Sequence, residues 1–180
     1  MIALSFVLPG LLGSKSGSAH PAGVASGAGL PAGSSVPDFT GTDLLTGNTI
    51  TAASVFDHKT LLFFSEGVMC QACLQQIQGI QEVGSQLAQK NIQLVSITPD
   101  SPNLLRQAAE EYKINTPLIS DTSTAMSKAF NTLGKGMHST SPGHAFALIY
   151  HGKVLWYHDY WVTDGSMYVQ PASLLSAPPA

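Results

Sequence analysis

Residues 59–73 read Lys-Thr-Leu-Leu-Phe-Phe-Ser-Glu-Gly-Val-Met-Cys-Gln-Ala-Cys. The first seven form an apolar run of strand length, the pattern of a strand buried on both faces at the centre of a parallel sheet. Beyond it, apolar residues at 70, 73, 74, 77, 80, 83, 87 and 88 recur with a helical period, and the spacing predicts one helix over 70–90. The unit is strand, short loop, long helix. Further along, residues 91–98 read as the next strand, and Ser101-Pro102 sets an N-cap hydroxyl before an N1 proline to open a helix through Tyr112. Residues 118–120 are a short strand, 123–133 a further helix, and 145–150 with 153–160 a hairpin turning at His151-Gly152. Upstream, Thr49-Ile50-Thr51 is a short β-prone segment after the turn signal Gly47-Asn48. The resulting order, β-α-β-α-β-α-β-β, predicts an α/β fold: a central mixed sheet, parallel in the middle, closed by an antiparallel hairpin and flanked by helices on both faces.

Ligands of such sheets bind beyond the carboxyl ends of the strands, which is where Cys70-Gln71-Ala72-Cys73 falls. A Cys-x-x-Cys in the first turn of a helix places the first sulfur near unpaired backbone N–H groups and the positive end of the helix dipole, and both favour the thiolate. The second sulfur lies one turn inside, within bonding reach of the first. These positions assign Cys70 as the attacking and Cys73 as the resolving thiol of a redox pair. A pair of inert core cysteines is the bland alternative.

The rest of the composition narrows the function. Charged residues are 11% of the 180, hydrophobic ones 44%, and the net charge is −3 with no basic run, which argues against nucleic-acid binding. Two cysteines are too few for a disulfide-stapled scaffold or a four-cysteine zinc or iron–sulfur site, and no phosphate-binding loop or nucleophile elbow occurs, so no metal or cofactor is expected. Of residues 1–36, 23 are Ala, Gly, Ser or Pro, a linker composition, which leaves 37–180 as the folded domain. Residues 1–13 form an apolar stub broken by Pro9, with Lys15 following rather than preceding it. At 1.5 Å per residue the stub reaches about 20 Å, too short to span a bilayer alone. It reads as the remnant of a targeting or anchoring segment, giving an extracytoplasmic protein, membrane-anchored or secreted, whose electrons come from a donor crossing the membrane; a disordered leader in a cytoplasmic protein is the alternative.

Pro37-Asp38-Phe39, the Leu-Leu-Phe-Phe strand, the cysteine loop, and the stretches SITPDSPNLLRQAAEEY, TPLISDTSTAMSKAF and GHAFALIYHGKVLWYHDY, in that order, resemble the AhpC/TSA redoxins, the peroxiredoxin-like branch of the thioredoxin-like superfamily. The resemblance covers residues 36–175. It implies a thioredoxin-like fold and thiol redox activity. Peroxiredoxins of this kind carry Thr three residues before the peroxidatic cysteine and Arg near the start of the later Phe-containing strand, together orienting the peroxide. Gly67 and Gly143 stand in those places and donate no side-chain hydrogen bond. Thioredoxin-like reductases instead have Trp before the first cysteine and a cis-proline facing the pair; Met69 replaces the Trp, and Pro142 falls one residue before the expected proline. The lost donors rank a disulfide reductase or isomerase, working on partner-protein disulfides with a thiol electron donor, above a thiol-dependent peroxidase. Copper delivery by the two thiolates, with His138 or His144 as a third ligand and Met69 or Met137 as soft neighbours, ranks third, because copper redoxins have three residues rather than two between the cysteines.

Among the histidines, His144 stands at the start of the strand that approaches the cysteine pair in this fold, where it could stabilise a thiolate or accept its proton; a simply packed histidine is the alternative. Glu66, four residues before Cys70, either tunes the thiol or is a solvated loop carboxylate. His20, His58, His151 and His158 read as linker or surface residues. Trp156, Tyr157, Tyr160 and Trp161 read as hairpin core or as a partner groove.

Overall fold

The computed structural model describes residues 28–176. The apolar stub, the targeting reading it carries and His20 lie outside the described residues. Two short strands, β1 (Thr40–Thr42) and β2 (Thr49–Thr51), form an antiparallel hairpin. The main sheet has five strands in the order β5-β4-β3-β6-β7. The central strand, β3 (Lys59–Phe64), runs parallel to β4 (Ile92–Thr98), which runs parallel to β5 (Leu118–Ser120). On its other side β3 is antiparallel to β6 (Ala145–Tyr150), which pairs with β7 (Lys153–Asp159). His151 and Gly152 both take positive φ, 47° and 69°, the primed turn that follows the twist of a tight hairpin.

Burial on both faces explains the apolar run. Leu61 and Phe63 point to one side, against Leu74, Ile77 and Ile80 of helix α1 (Gln71–Glu82) and Leu105 of helix α3 (Pro102–Glu111). Leu62 and Phe64 point to the other, against Phe39, Val55, Met126 and Phe130. The alternation along one strand thus seeds two apolar layers, and the cysteine loop leaves at its carboxyl end between them.

Three elements differ from expectation. The helix over 70–90 is two helices, α1 and α2 (Gly84–Gln89), broken at Val83 (φ −99°, ψ 12°). A β-branched residue followed by glycine is a cheap place to interrupt a helix, and the break keeps Leu87 in the core. The helix over 123–133 shrinks to α4 (Ala125–Ala129), because Thr124 and Asn131 adopt left-handed conformations at its two ends. Its cap is Asp121, whose carboxylate accepts from the backbone N–H of Met126 (3.2 Å) and Ser127 (2.9 Å). Tyr160, placed by sequence in the hairpin, begins helix α5 (Tyr160–Asp164), capped by Asp159. Ser101 does precede α3, but its hydroxyl makes no capping bond. The last helix, α6 (Pro171–Leu174), packs against α1.

Residues 28–36, which composition gives to the linker, run alongside the hairpin. Ser35 bridges Lys153, the Gly33 and Val36 N–H groups donate to Val154 and Gly152, and the Tyr157 ring covers Gly29. Small residues suit this contact, since a Cβ on Gly29 would overlap that ring. Among the described residues no helix is long and apolar enough to cross a membrane.

Candidate active site

Cys70 ends the loop that follows β3 and caps α1. Its backbone is extended (φ −100°, ψ 90°), and its sulfur accepts from the Cys73 N–H at 3.2 Å. Cys70 and Cys73 are joined in a disulfide with their Cα atoms 5.2 Å apart, a separation that one helical turn supplies. Both cysteines are buried, whereas Met69 beside them is 91% exposed, so this is the outer rim of the site. Capping puts the Cys70 sulfur at the positive end of a twelve-residue helix, where a thiolate is favoured.

Behind the pair stands His144, wholly buried at the entry to β6. Its Nδ1 lies 3.7 Å from the Cys73 sulfur and its Nε2 3.2 Å from Gln76 Oε1. The rings of Phe63 and Phe146 flank it at 4.8 and 5.8 Å. Burial without a counter-charge pushes the imidazole down to about 3, so the ring is neutral at ordinary pH. Gln76, also fully buried, donates to the Val169 carbonyl (2.9 Å) and accepts from the Val169 N–H (2.6 Å). Sequence reasoning missed Gln76. Its signal was there, because a residue three beyond Cys73 shares its helical face.

The loop side is built on carboxylates. Glu66 is buried rather than solvated: Oε1 accepts from the His138 N–H at 3.1 Å, and Oε2 lies 3.1 Å from His138 Nδ1. It holds the 134–141 loop against the cysteine loop. Gly67 (φ +93°) lies against Asp100, whose Oδ2 accepts from the Val68 N–H at 2.9 Å; a Cβ on Gly67 would overlap that carboxylate. Gly143 is in the same position relative to Asp159. The places that would carry a threonine and an arginine are thus closed by two carboxylates, Asp100 half-buried and Asp159 buried. Desolvation raises the pKa of Asp100 against the opposing bond from Val68, and raises that of Asp159 against the bonds from Val162 and Trp161.

The remaining sequence candidates are dispersed. Pro142 bridges Leu133, and no peptide bond among the described residues is cis. His138 is held by Glu66, and among the described residues no group of three or more His, Cys, Asp or Glu comes together as a metal site. His151 lies 3.7 Å from Asp57 and His158 2.8 Å from Asp164. Trp156 stacks on His158 and the Tyr157 hydroxyl donates to Asp159 within the hairpin, and Tyr160 of α5 meets Phe146 of β6 edge-on.

No curated protein matches the chain. Among solved structures it is similar to the peroxidoxin BcpB from Mycobacterium tuberculosis, at 22% identity and a TM-score of 0.68, over 81% of this chain and 94% of that one. It is similar to Enterococcus faecalis AhpC at 18% identity and 0.70, over 81% and 88%. The third, Vibrio vulnificus Prx3 in its reduced form with hydrogen peroxide, shows 17% identity and 0.69, over 82% and 98%. These likenesses give the thioredoxin-like fold. The family model of the AhpC/TSA family matches residues 32–156, spanning the cysteine pair, the carboxylates of its loop and His144, and the chain belongs to that family.

Proposed function

We propose that the protein is a thiol oxidoreductase that cycles between a dithiol and the Cys70–Cys73 disulfide, with disulfides of partner proteins as its substrate and a thiol reductant as its electron donor. The observation that carries this reading is the pair itself: a helix-capping Cys70 bonded to a buried Cys73. In the reducing direction the Cys70 thiolate attacks a partner disulfide and releases one partner thiolate. Cys73 then displaces the second and closes the ring. The local geometry favours disulfides over peroxide, because acceptor carboxylates occupy the space beside Gly67 and Gly143 where donors to a peroxide would be required.

A second reading, a thiol-dependent peroxidase with an antioxidant role, is favoured by family membership and by the peroxidoxin, AhpC and Prx3 neighbours. In it Cys70 takes an oxygen from the peroxide to become a sulfenic acid, and Cys73 expels that oxygen as water. Stopped-flow oxidation of the reduced protein by hydrogen peroxide and by a protein disulfide decides between them. A faster rate with the protein disulfide supports the first reading, and a faster rate with peroxide replaces it with the second. The extracytoplasmic location and membrane-crossing donor expected from residues 1–13 stay as part of the proposal. Fractionation of cells expressing the full chain tests them, and a wholly cytosolic protein would discard both.

A further inference from the structure

The orientation of Gln76 is not a matter of choice. Its side-chain amide meets both backbone groups of Val169, so the oxygen must face the Val169 N–H (2.6 Å) and the nitrogen the Val169 carbonyl (2.9 Å). The same oxygen lies 3.2 Å from His144 Nε2. An amide oxygen only accepts, so Nε2 must carry the hydrogen. A neutral imidazole has one ring hydrogen, which leaves Nδ1 bare, with its lone pair directed at the Cys73 sulfur 3.7 Å away.

We propose that His144 is the proton acceptor for the resolving thiol of Cys73, and that Gln76, oriented by Val169, is the positioning residue that keeps it in the competent tautomer. The inference rests on the thiol-exchange reading and serves the peroxidase reading equally, since both require Cys73 to attack Cys70.

A thiol in this dry site is a poor nucleophile until it loses its proton. In the mixed disulfide between Cys70 and a partner, the Cys73 S–H donates to Nδ1 and the proton passes to the ring, where the thiolate formed beside it supplies the counter-charge that the ring lacks in the oxidised state. The Cys73 thiolate attacks the Cys70 sulfur, the Cys70–Cys73 bond forms, and the Cys70–partner bond breaks with its electron pair leaving on the partner sulfur. The imidazolium, enclosed by Phe63 and Phe146, then has no counter-charge and gives its proton to the departing partner sulfur or to solvent water, which restores the neutral ring. The partner disulfide has gained two electrons and the cysteine pair has lost them. Other titratable groups near the ring are few: Asp159, register partner of Ala145, lies over Gly143, and Tyr160 donates its backbone N–H to the His144 carbonyl. Neither side chain stands between Nδ1 and the sulfur.

The test uses the intact, reduced protein and dithiobis(nitrobenzoate), whose two coloured thiolates report the two steps separately. The first is released by Cys70 attack and the second by ring closure. Wild-type ring closure should be nearly independent of pH between about 6 and 8, whereas in His144→Phe it should be roughly 100-fold slower at neutral pH and rise about tenfold per pH unit, the loss typical of a missing general base. Gln76→Leu should slow closure less and turn the ring nitrogen-15 spectrum into a tautomer mixture, and Gln76→Glu should restore the Nε2–H form. Closure in His144→Phe within threefold of wild type at neutral pH, or a wild-type spectrum showing hydrogen on Nδ1 of the oxidised protein, would overturn the proposal. The spectrum needs no variant to fold. Absence of the first release from wild-type protein would instead reject the thiol-exchange reading.

Discussion

One disulfide divides two kinds of surroundings. On the Cys70 side the structure is loop, and carboxylates hold it by gripping backbone N–H groups: Asp100 on Val68 and Glu66 on His138. On the Cys73 side the structure is helix and strand, and what holds it is neutral, an amide and an imidazole between two phenylalanine rings. Hydrogen bonds to ionised groups are the stronger kind, but an ion enclosed without a partner is costly. The exposed rim beside Met69 is therefore held by carboxylates, and the dry side is built from an amide and a neutral imidazole.

The sharpest way to break this contrast is at the sulfurs. Cys73→Ser should abolish turnover and accumulate a mixed disulfide at Cys70, seen as an added mass that reductant removes, whereas Cys70→Ser should trap none. Trapping through Cys73 alone would reverse the two sides.

A second effect is expected in pH-dependent stability. Because burial holds His144 near 3 instead of 6.5, the unfolded chain takes up a proton between those values that the native state refuses. The contribution is fully present above about pH 6.5 and is lost by up to about 1.4 kcal/mol per unit as the pH falls toward 3. Asp100 and Asp159, raised by burial, act oppositely: just above 3.8 the native state keeps protons that the unfolded chain has released, so their contribution declines as the pH rises. Urea titrations of oxidised wild type and His144→Phe isolate the histidine. The variant should show the flatter acid limb, and equal slopes would mean that the buried side tolerates an imidazolium.

On the loop side the largest change should come from Gly67→Ala. Its Cβ would meet the Asp100 carboxylate from a positive φ, a combination expected to cost about 1–3 kcal/mol. Thermal melts measure it, and an unchanged melting temperature would show that Asp100 swings away freely. The smallest effect is reserved for Met69→Ala, within about 0.5 kcal/mol in stability because the side chain is 91% exposed. A measurable loss of activity toward protein disulfides from this variant, with an unchanged melt, would make Met69 a partner contact.

Much of the fold was legible because it is periodic. The Leu-Leu-Phe-Phe run, the spacing of Leu74, Ile77 and Ile80, and the alternation in the hairpin each name a buried face, and the order of elements then leaves few topologies. The cysteine pair was legible for a similar reason, since its three-residue separation and its place at the head of a helix are local facts. The helix ends at Val83 and Thr124 were not, because they depend on where Leu87 and the Asp121 carboxylate come to rest. Gln76 looked like one of several polar helix residues, and Glu66 like a loop carboxylate, until their partners 93 and 72 residues away were in place.

The sequence by itself determined an α/β chain with a Cys-x-x-Cys at the head of a helix, since hydrophobic period, chain order and one turn of helix are short-range quantities, and its resemblance to the AhpC/TSA redoxins implied the thioredoxin-like arrangement. Only the tertiary structure decided what each sulfur meets. His144 reaches Cys73, and Asp100 and Asp159 close over the two glycines, through contacts whose partners lie far apart in the chain. Burial, which lowers the pKa of His144 and raises those of Asp100 and Asp159, exists only once the sheet and its helices have packed.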